Sequence, residues 1–243
     1  MTTIKVIIDK SQNLISIHNN GKGIPIKMHQ DEKVYVPELI FGHLLTSSNY
    51  DDSEKKVVGG RNGYGAKLCN IFSTEFIVET GDKEEKKKYK QVFKNNMSIK
   101  GTPRITENKK GEEFTRITFK PDLAKFNMTE MDDDFEALIK KRVYDLAGTV
   151  EGITVYLNGS KIPVKGFQKY VDLYTKTMEI RNADGKKPII HDTQQQSKGR
   201  WQVSFAVSDG QPSQVYILYD IEMIERRQKK KSKCEGNGRK LKN

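Results

Sequence analysis

Cysteine is almost absent: Cys69 and Cys234 are the only two in 243 residues. One stands beside a glycine-rich stretch and the other in a charged tail, so neither a disulfide framework nor a cysteine zinc set can be built. A reducing compartment is the natural setting. Histidine is scarce too. His18, His29, His43 and His191 lack the short spacings of metal-ligating pairs, and His43 lies in an apolar helical stretch where packing is the ordinary use. No apolar run approaches the roughly 18 residues a membrane span needs. Met1 leads directly into Ile4-Lys5-Val6-Ile7-Ile8, a strand-like run too short for a secretory signal core. Acidic residues are outnumbered, 32 Asp and Glu against 43 Lys and Arg, giving a formal charge of +11. Such an excess points to a polyanionic partner. It is uneven, because residues 221–243 hold nine Lys and Arg against three Glu and so carry +6 of it.

What the chain does hold is glycine in one place. Gly59-Gly60-Arg61-Asn62-Gly63-Tyr64-Gly65-Ala66-Lys67 precedes the helix-compatible Leu68-Cys69-Asn70-Ile71-Phe72. Glycines so dense permit positive φ and let converging amides approach an anion. Lys67 adds a full charge close to where Ala66-Lys67-Leu68 enters a helix, whose N-terminal dipole favours an anion. Spacing excludes two common phosphate motifs. A P-loop needs Lys directly after its last Gly and then Ser or Thr, and here Ala66 intervenes and Leu68 follows. The dinucleotide pattern G-x-G-x-x-G fails because the observed order is Gly60-x-x-Gly63-x-Gly65. A glycine-rich surface loop is the plain alternative.

Taken in order, Ile4–Ile8 and Leu14–Ile17 flank a polar turn and predict a β-hairpin. His18-Asn19-Asn20-Gly21-Lys22-Gly23-Ile24-Pro25 follows, where Asn19 can offer an amide donor and acceptor to a base edge or simply serve a turn. Val36–Leu45 has helical spacing with Pro37 in its first turn. The cluster Thr46-Ser47-Ser48-Asn49 then either hydrogen-bonds ribose and phosphate or caps a neighbouring element. Thr74–Thr80 and Tyr89–Phe93 predict paired strands with a solvated, charged end, Gly101–Gly111 a polar connection, and Phe114–Phe119 a half-buried strand. Asp132-Asp133-Asp134 open an amphipathic helix reaching Gly148, and as a trio admit either a metal or a helix-dipole role. Asn158-Gly159 signals another hairpin, Phe167–Met178 a helix and Gly199–Val207 a strand. Beyond it the composition turns basic with no apolar period, which predicts disorder or a spurious segment.

Three of these stretches carry a resemblance. Asn19-Asn20-Gly21-Lys22-Gly23-Ile24-Pro25, Leu44-Leu45-Thr46-Ser47-Ser48-Asn49-Tyr50-Asp51-Asp52 and the run from Gly59 to Phe72 closely resemble the ATPase domain of eukaryotic type IIA DNA topoisomerase, DNA topoisomerase II. Phe119-Lys120-Pro121-Asp122-Leu123, Leu157-Asn158-Gly159 and Val164-Lys165-Gly166-Phe167 extend it to about residue 210. The resemblance implies that Asn19 contacts adenine, that Ser47, Ser48 and Asn49 contact ribose and phosphates, and that Gly60, Arg61, Asn62, Gly63, Tyr64, Gly65, Ala66 and Lys67 wrap the triphosphate. Thr115 looks like the family threonine beneath the adenine pocket. ATP and Mg²⁺ are the cofactors it implies. The implied parent is a nuclear homodimer, with no membrane role, that passes one DNA duplex through a cut in another.

The family places its first nucleotide motif, with the water-activating glutamate and the Mg²⁺-holding asparagine, upstream of Ile4, and this sequence starts after it. No catalytic or metal-ligating residue is therefore assigned. The DNA-cleaving tyrosine and toprim domains have no counterpart here, and residues beyond about Gln214 do not follow the family pattern. The expected fold is α+β, a GHKL (Bergerat-type) two-layer sandwich with helices on one face of a mixed, mainly antiparallel sheet and the nucleotide between the layers. Residues 1–200 would form that domain, 201–214 the start of a transducer domain, and 215–243 a basic tail. The competing expectation is a non-catalytic nucleic-acid or partner-binding protein that uses the tail.

Overall fold

The computed structural model describes residues 1–44, 46, 62–176, 179–193, 201–206 and 216–219. The chain divides into two compact units, Met1–Tyr144 with Gly152–Pro163, and Asp145–Glu151 with Val164–Asn243.

In the first unit β1 (Thr3–Asp9) and β2 (Leu14–Asn19) form the predicted hairpin. Its turn is a short 3-10 segment fixed by the Asp9 carboxylate, which accepts from Gln12 N–H at 3.1 Å, and closed by Asn13 at φ 49°. The next strands are β3 (Ser73–Asp82), β4 (Lys87–Lys94), β5 (Ile99–Lys100), β6 (Arg104–Glu107), β7 (Phe114–Pro121), β8 (Thr154–Leu157) and β9 (Ser160–Lys161). They join in one sheet of order β5-β4-β3-β7-β2-β1-β8-β9, with β6 on β4. Every pairing is antiparallel except β1 with β8. The Asn158-Gly159 turn forms as expected, with φ 47° and 83°. The Asn158 side chain also stitches β1, accepting from Ile8 N–H at 2.8 Å.

Alternation gives this sheet two unlike faces. Ile4, Val6, Ile8, Ile15, Phe76, Val78, Tyr89 and Phe93 are buried on one face, and Lys5 and Ile7 are exposed on the other. Helices α1 (Val36–Gly42) and α2 (Tyr64–Ile71) lie over the apolar face, where Phe41 and Ile26 join Phe76, Val78, Tyr89 and Phe93 in one core. Asn70 of α2 is fully buried and donates to Phe41 C=O at 3.0 Å, which ties the two helices.

Several boundaries differ from expectation for local reasons. The first helix stops at Gly42 rather than Leu45, with His43 already extended, and the absence of a Cβ at Gly42 lets this end pack closely on Phe93. Thr46 closes that end by donating to Leu39 and His43 carbonyls. The glycine-rich stretch enters its helix at Tyr64, two residues earlier than Ala66, since Gly63 at φ 65° makes the turn. Gly101–Gly111 is no mere connection: Arg104–Glu107 pairs with β4 as an edge strand, which four residues with one apolar side chain do not announce.

Helix α3 (Asp133–Thr149) carries the chain from the first unit into the second. Of its opening carboxylates, Asp132 accepts from Phe135 N–H at 2.7 Å and Asp133 pairs with Lys10. Asp132 thus caps the helix start, and Asp133, at the same positive end of the helix dipole, is held in an ion pair. In the second unit α4 (Phe167–Thr175) packs on the end of α3, where a Cβ at Gly148 would meet Tyr170 at 2.4 Å and Tyr170 O–H reaches Asp145 at 2.6 Å. A second antiparallel sheet follows, β10 (Ile189–Thr193), β11 (Trp201–Ala206) and β12 (Tyr216–Tyr219), in that order. The strand β12 lies within residues 215–243. Among the described residues no helix is long and apolar enough to cross a membrane.

Candidate functional site

Strand register places three polar side chains in one line across the apolar face of the first sheet. Asn19 on β2 is opposite Thr115 on β7, and Thr115 is opposite Thr80 on β3. Directly opposed residues share a face, so this amide and two hydroxyls interrupt a surface made mainly of Val, Ile, Phe and Tyr. Beside them lies Ile17, on the same face as Asn19 and 37% exposed although its cross-strand neighbour Val6 is buried. The result is an uncovered apolar floor edged by hydrogen-bonding groups, which suits a flat heteroaromatic ring.

The bonding state of each group says what remains for a ligand. Asn19 Oδ1 accepts from Gly21 N–H at 3.0 Å, and its NH₂ has no partner among the described residues. Thr80 is fully buried, and its hydroxyl donates to Phe114 C=O at 2.8 Å and accepts from Ile24 N–H at 3.0 Å. With the Thr80 proton so placed, the 3.4 Å approach of Thr115 Oγ1 leaves the Thr115 hydroxyl loosely held. Asn20 has a structural task instead, holding the Thr2 and Thr3 N–H groups at the start of β1.

The loop after Asn19 is pinned by steric fit. A Cβ at Gly23 would lie 1.7 Å from the Gly81 carbonyl oxygen, so only glycine lets the chain cross the end of β3 this closely. Three residues later Ile26 N–H donates to Asp82 Oδ2 at 3.0 Å. Asp82 also accepts from Glu84 and Glu85 N–H, so its buried carboxylate is committed to backbone. In the sequence Thr80 is the last residue of the expected strand Thr74–Thr80, and nothing local marks it, Gly81 or Asp82 as partners of a distant loop. Their pairing with the Gly21–Ile26 loop is a contact between segments about 56 residues apart.

The described part of the glycine-rich stretch runs from Asn62. Gly63 supplies the left-handed turn, and α2 opens with no side-chain cap on its N–H groups. A Cβ at Gly65 would meet nothing within 4 Å among the described residues, so space lies open over the first turn. Such a helix start offers unpaired donors and a positive dipole end to an anion. Lys67 departs from the simple picture of a charge aimed outward. It is 2% exposed, and its ammonium donates to Thr46 C=O at 2.7 Å and Gly63 C=O at 3.2 Å. Burial pushes its pKa down. It clasps the end of the α1 segment to the start of α2, and two of its three N–H donors are used among the described residues. Burial also pushes the neighbouring Cys69 thiol up to about 11, which makes it unreactive near neutrality.

Asn19 and Thr115 are thus brought together. Asn62, Gly63, Tyr64, Gly65, Ala66 and Lys67 form the turn and first helical turn of α2, while Ser47, Ser48, Asn49, Gly60 and Arg61 lie outside the described residues. Among the described residues no three His, Cys, Asp or Glu side chains gather as a metal site. The second unit has its own cavity of about 350 Å³ beside the start of α4, lined with charged and polar residues such as Glu151, Lys165, Lys169 and His191.

No family model matches the chain. Its similarity to individual proteins is high. It is 56% identical over 225 residues to DNA topoisomerase 2 of Penicillium chrysogenum, covering 91% of this chain and 14% of the relative. It is 53% identical over 226 residues to DNA topoisomerase 2 of Arabidopsis thaliana, covering 93% and 15%. The ATPase region of Saccharomyces cerevisiae topoisomerase II superposes with a TM-score of 0.79 at 53% identity, over 86% of this chain and 53% of that one. The 43K ATPase domain of Thermus thermophilus gyrase B, at TM-score 0.58 and 22% identity, shares the fold. The chain therefore spans about a seventh of the length of these whole relatives and about half of the yeast ATPase region. An identity above one half, sustained over nine-tenths of the chain and matched by the same helix-on-sheet architecture, makes this chain a member of the eukaryotic DNA topoisomerase II family, drawn from its ATPase region.

Proposed function

We propose that the chain binds ATP on the helix-covered face of its first sheet, with adenine on the Ile17 floor and the phosphates toward the start of α2. The observation that supports this most is the Asn19-Thr115-Thr80 row: an amide NH₂ without a partner among the described residues and a loosely held hydroxyl stand beside the exposed Ile17 on a largely buried face. The uncapped first turn of α2 and the open space at Gly65 would receive the anionic end. Ser47, Ser48, Asn49, Gly60 and Arg61 complete the expected contact set. Lys67 serves the site by holding α1 and α2 together.

The described residues provide no cage for Mg²⁺, so no step is assigned to it. A magnesium ion bound with the nucleotide would be held mainly by phosphate oxygens and water. Hydrolysis requires a positioned base, and among the described residues the one buried carboxylate near the row, Asp82, is occupied by three backbone N–H groups. The activity supported for this chain is therefore binding. Duplex passage, homodimerisation and a nuclear location are proposed for it only as part of a longer topoisomerase II.

The test is thermal unfolding with and without a non-hydrolysable ATP analogue. A ligand at about 100 times its Kd adds roughly 2.7 kcal/mol to stability, so the midpoint should rise, and Asn19→Ala should remove most of the rise measured from that variant's own ligand-free midpoint. A midpoint that ignores nucleotide would overturn the proposal.

A further inference from the structure

The sequence holds four Asn-Gly pairs, Asn20-Gly21, Asn62-Gly63, Asn158-Gly159 and Asn237-Gly238, the last outside the described residues. Glycine has no Cβ to shield its amide nitrogen. In such a pair that nitrogen can attack the asparagine side-chain carbonyl carbon wherever both groups are free to meet. The fold treats the three described pairs unequally. Asn20 Oδ1 accepts from Thr2 and Thr3 N–H at 2.9 and 2.8 Å, and its NH₂ donates to Thr2 Oγ1 at 2.8 Å. The nitrogen that would attack it, Gly21 N–H, is occupied by Asn19 Oδ1 at 3.0 Å. Asn158 is tied twice to Ile8, accepting from its N–H at 2.8 Å and donating to its C=O at 3.2 Å. Asn62 is different. It and Gly63 are exposed, and neither the Asn62 amide nor Gly63 N–H has a hydrogen-bond partner among the described residues.

We propose that Asn62 is a site of spontaneous deamidation, and that the carboxylate it creates weakens phosphate binding at the start of α2. Gly63 N–H gives its proton to solvent base, and its position at the positive end of the α2 dipole favours the anion left behind. That nitrogen bonds to Asn62 Cγ, the side-chain nitrogen leaves as ammonia, and a succinimide closes. Water then opens the ring. Opening at Cγ gives aspartate at position 62. Opening at the main-chain carbonyl gives isoaspartate, which adds a methylene to the backbone just before the left-handed turn of Gly63 at φ 65°. Either product puts a negative charge beside the helix start. The modification itself stands on the freedom of the Asn62-Gly63 pair, while its effect on phosphate rests on the nucleotide reading above.

The experiment is ageing of the full chain in mildly alkaline buffer, followed by peptide mapping for the mass gain of an NH₂-to-OH exchange. In the folded chain Asn62 should convert at least about tenfold faster than Asn20 or Asn158, whose side chains must first break two or more hydrogen bonds. In urea the three should convert at similar rates. Equal rates in the folded chain overturn the proposal, and so does a tenfold gap that persists in urea, since local sequence rather than the fold would then choose the site. The effect on phosphate is read by calorimetry with an ATP analogue. Asn62→Gln keeps an uncharged amide on a side chain that closes the ring poorly, and it should hold its affinity through the incubation in which the parent loses sites. Asn62→Asp should bind about tenfold or more weakly than Asn62→Gln, the low end of repulsion between unit charges a few ångströms apart. Equal affinity in these two variants overturns the effect on phosphate. If the fresh parent binds no nucleotide, that effect falls with the nucleotide reading, and the mass gain alone decides the modification.

Discussion

Replacing Gly23 by alanine should be among the most damaging small substitutions in this chain. The new methyl carbon would sit 1.7 Å from the Gly81 carbonyl oxygen and 2.7 Å from its carbon. Ordinary contact begins near 3.4 Å, so one backbone must retreat by well over an ångström, and no rotamer can relieve a clash between main chains. The retreat would pull Ile24 N–H from Thr80 Oγ1 and Ile26 N–H from Asp82 Oδ2, now 3.0 Å each. A buried N–H left without a partner costs about 1–3 kcal/mol, so the two together amount to roughly 2–6 kcal/mol, a large share of a typical total of about 5–15 kcal/mol. Ile26, fully buried among Phe41, Phe76 and Tyr89, would be dragged from the core as well. Urea unfolding of the parent and Gly23→Ala chains measures the difference directly. A variant within about 0.5 kcal/mol of the parent, the range of an inert surface change, would refute the steric account and the close crossing it describes.

Gly65→Ala should do the reverse. With nothing within 4 Å of the added methyl and a helical backbone at this position, stability should hold or rise by up to about 1 kcal/mol, while affinity for an ATP analogue, read by calorimetry, falls because the methyl occupies space left for phosphate. Acidification should test His18. Burial, then Arg116 and Lys5, hold its pKa below the ordinary value, with only Glu79 opposing. The unfolded chain therefore takes up this proton first, near pH 6.5. Stability present above that pH should be lost as pH falls toward the folded-state pKa, and His18→Gln should show a flatter urea-midpoint profile between about pH 7.5 and 5.5. Parallel profiles for the two chains would show that His18 is not desolvated in the folded state.

Much of this protein is legible residue by residue. The hairpin at Ile4–Ile17, the Asn158-Gly159 turn, the amphipathic α3 and the glycine-rich entry to α2 follow from local chemistry, in which alternation, turn residues and helix starts are properties of a few neighbours. The motif runs around Asn19, Ser47 and Gly63 were enough to suggest the family. Local chemistry could not supply the partners. Thr80 reads as one more strand residue until register sets it beside Thr115 and the Gly23 loop, and Lys67 reads as a charge offered to phosphate until its ammonium is found between the Thr46 and Gly63 carbonyls. The edge strand at Arg104–Glu107 has too few apolar side chains to declare itself, since its stability comes from the ladder on β4. Sequence determined which faces are apolar, where the chain turns and where an anion could meet a helix. Only the tertiary structure decided which polar groups are consumed by the fold and which remain for a ligand, because hydrogen-bond partners and strand register are fixed by segments far apart in the chain.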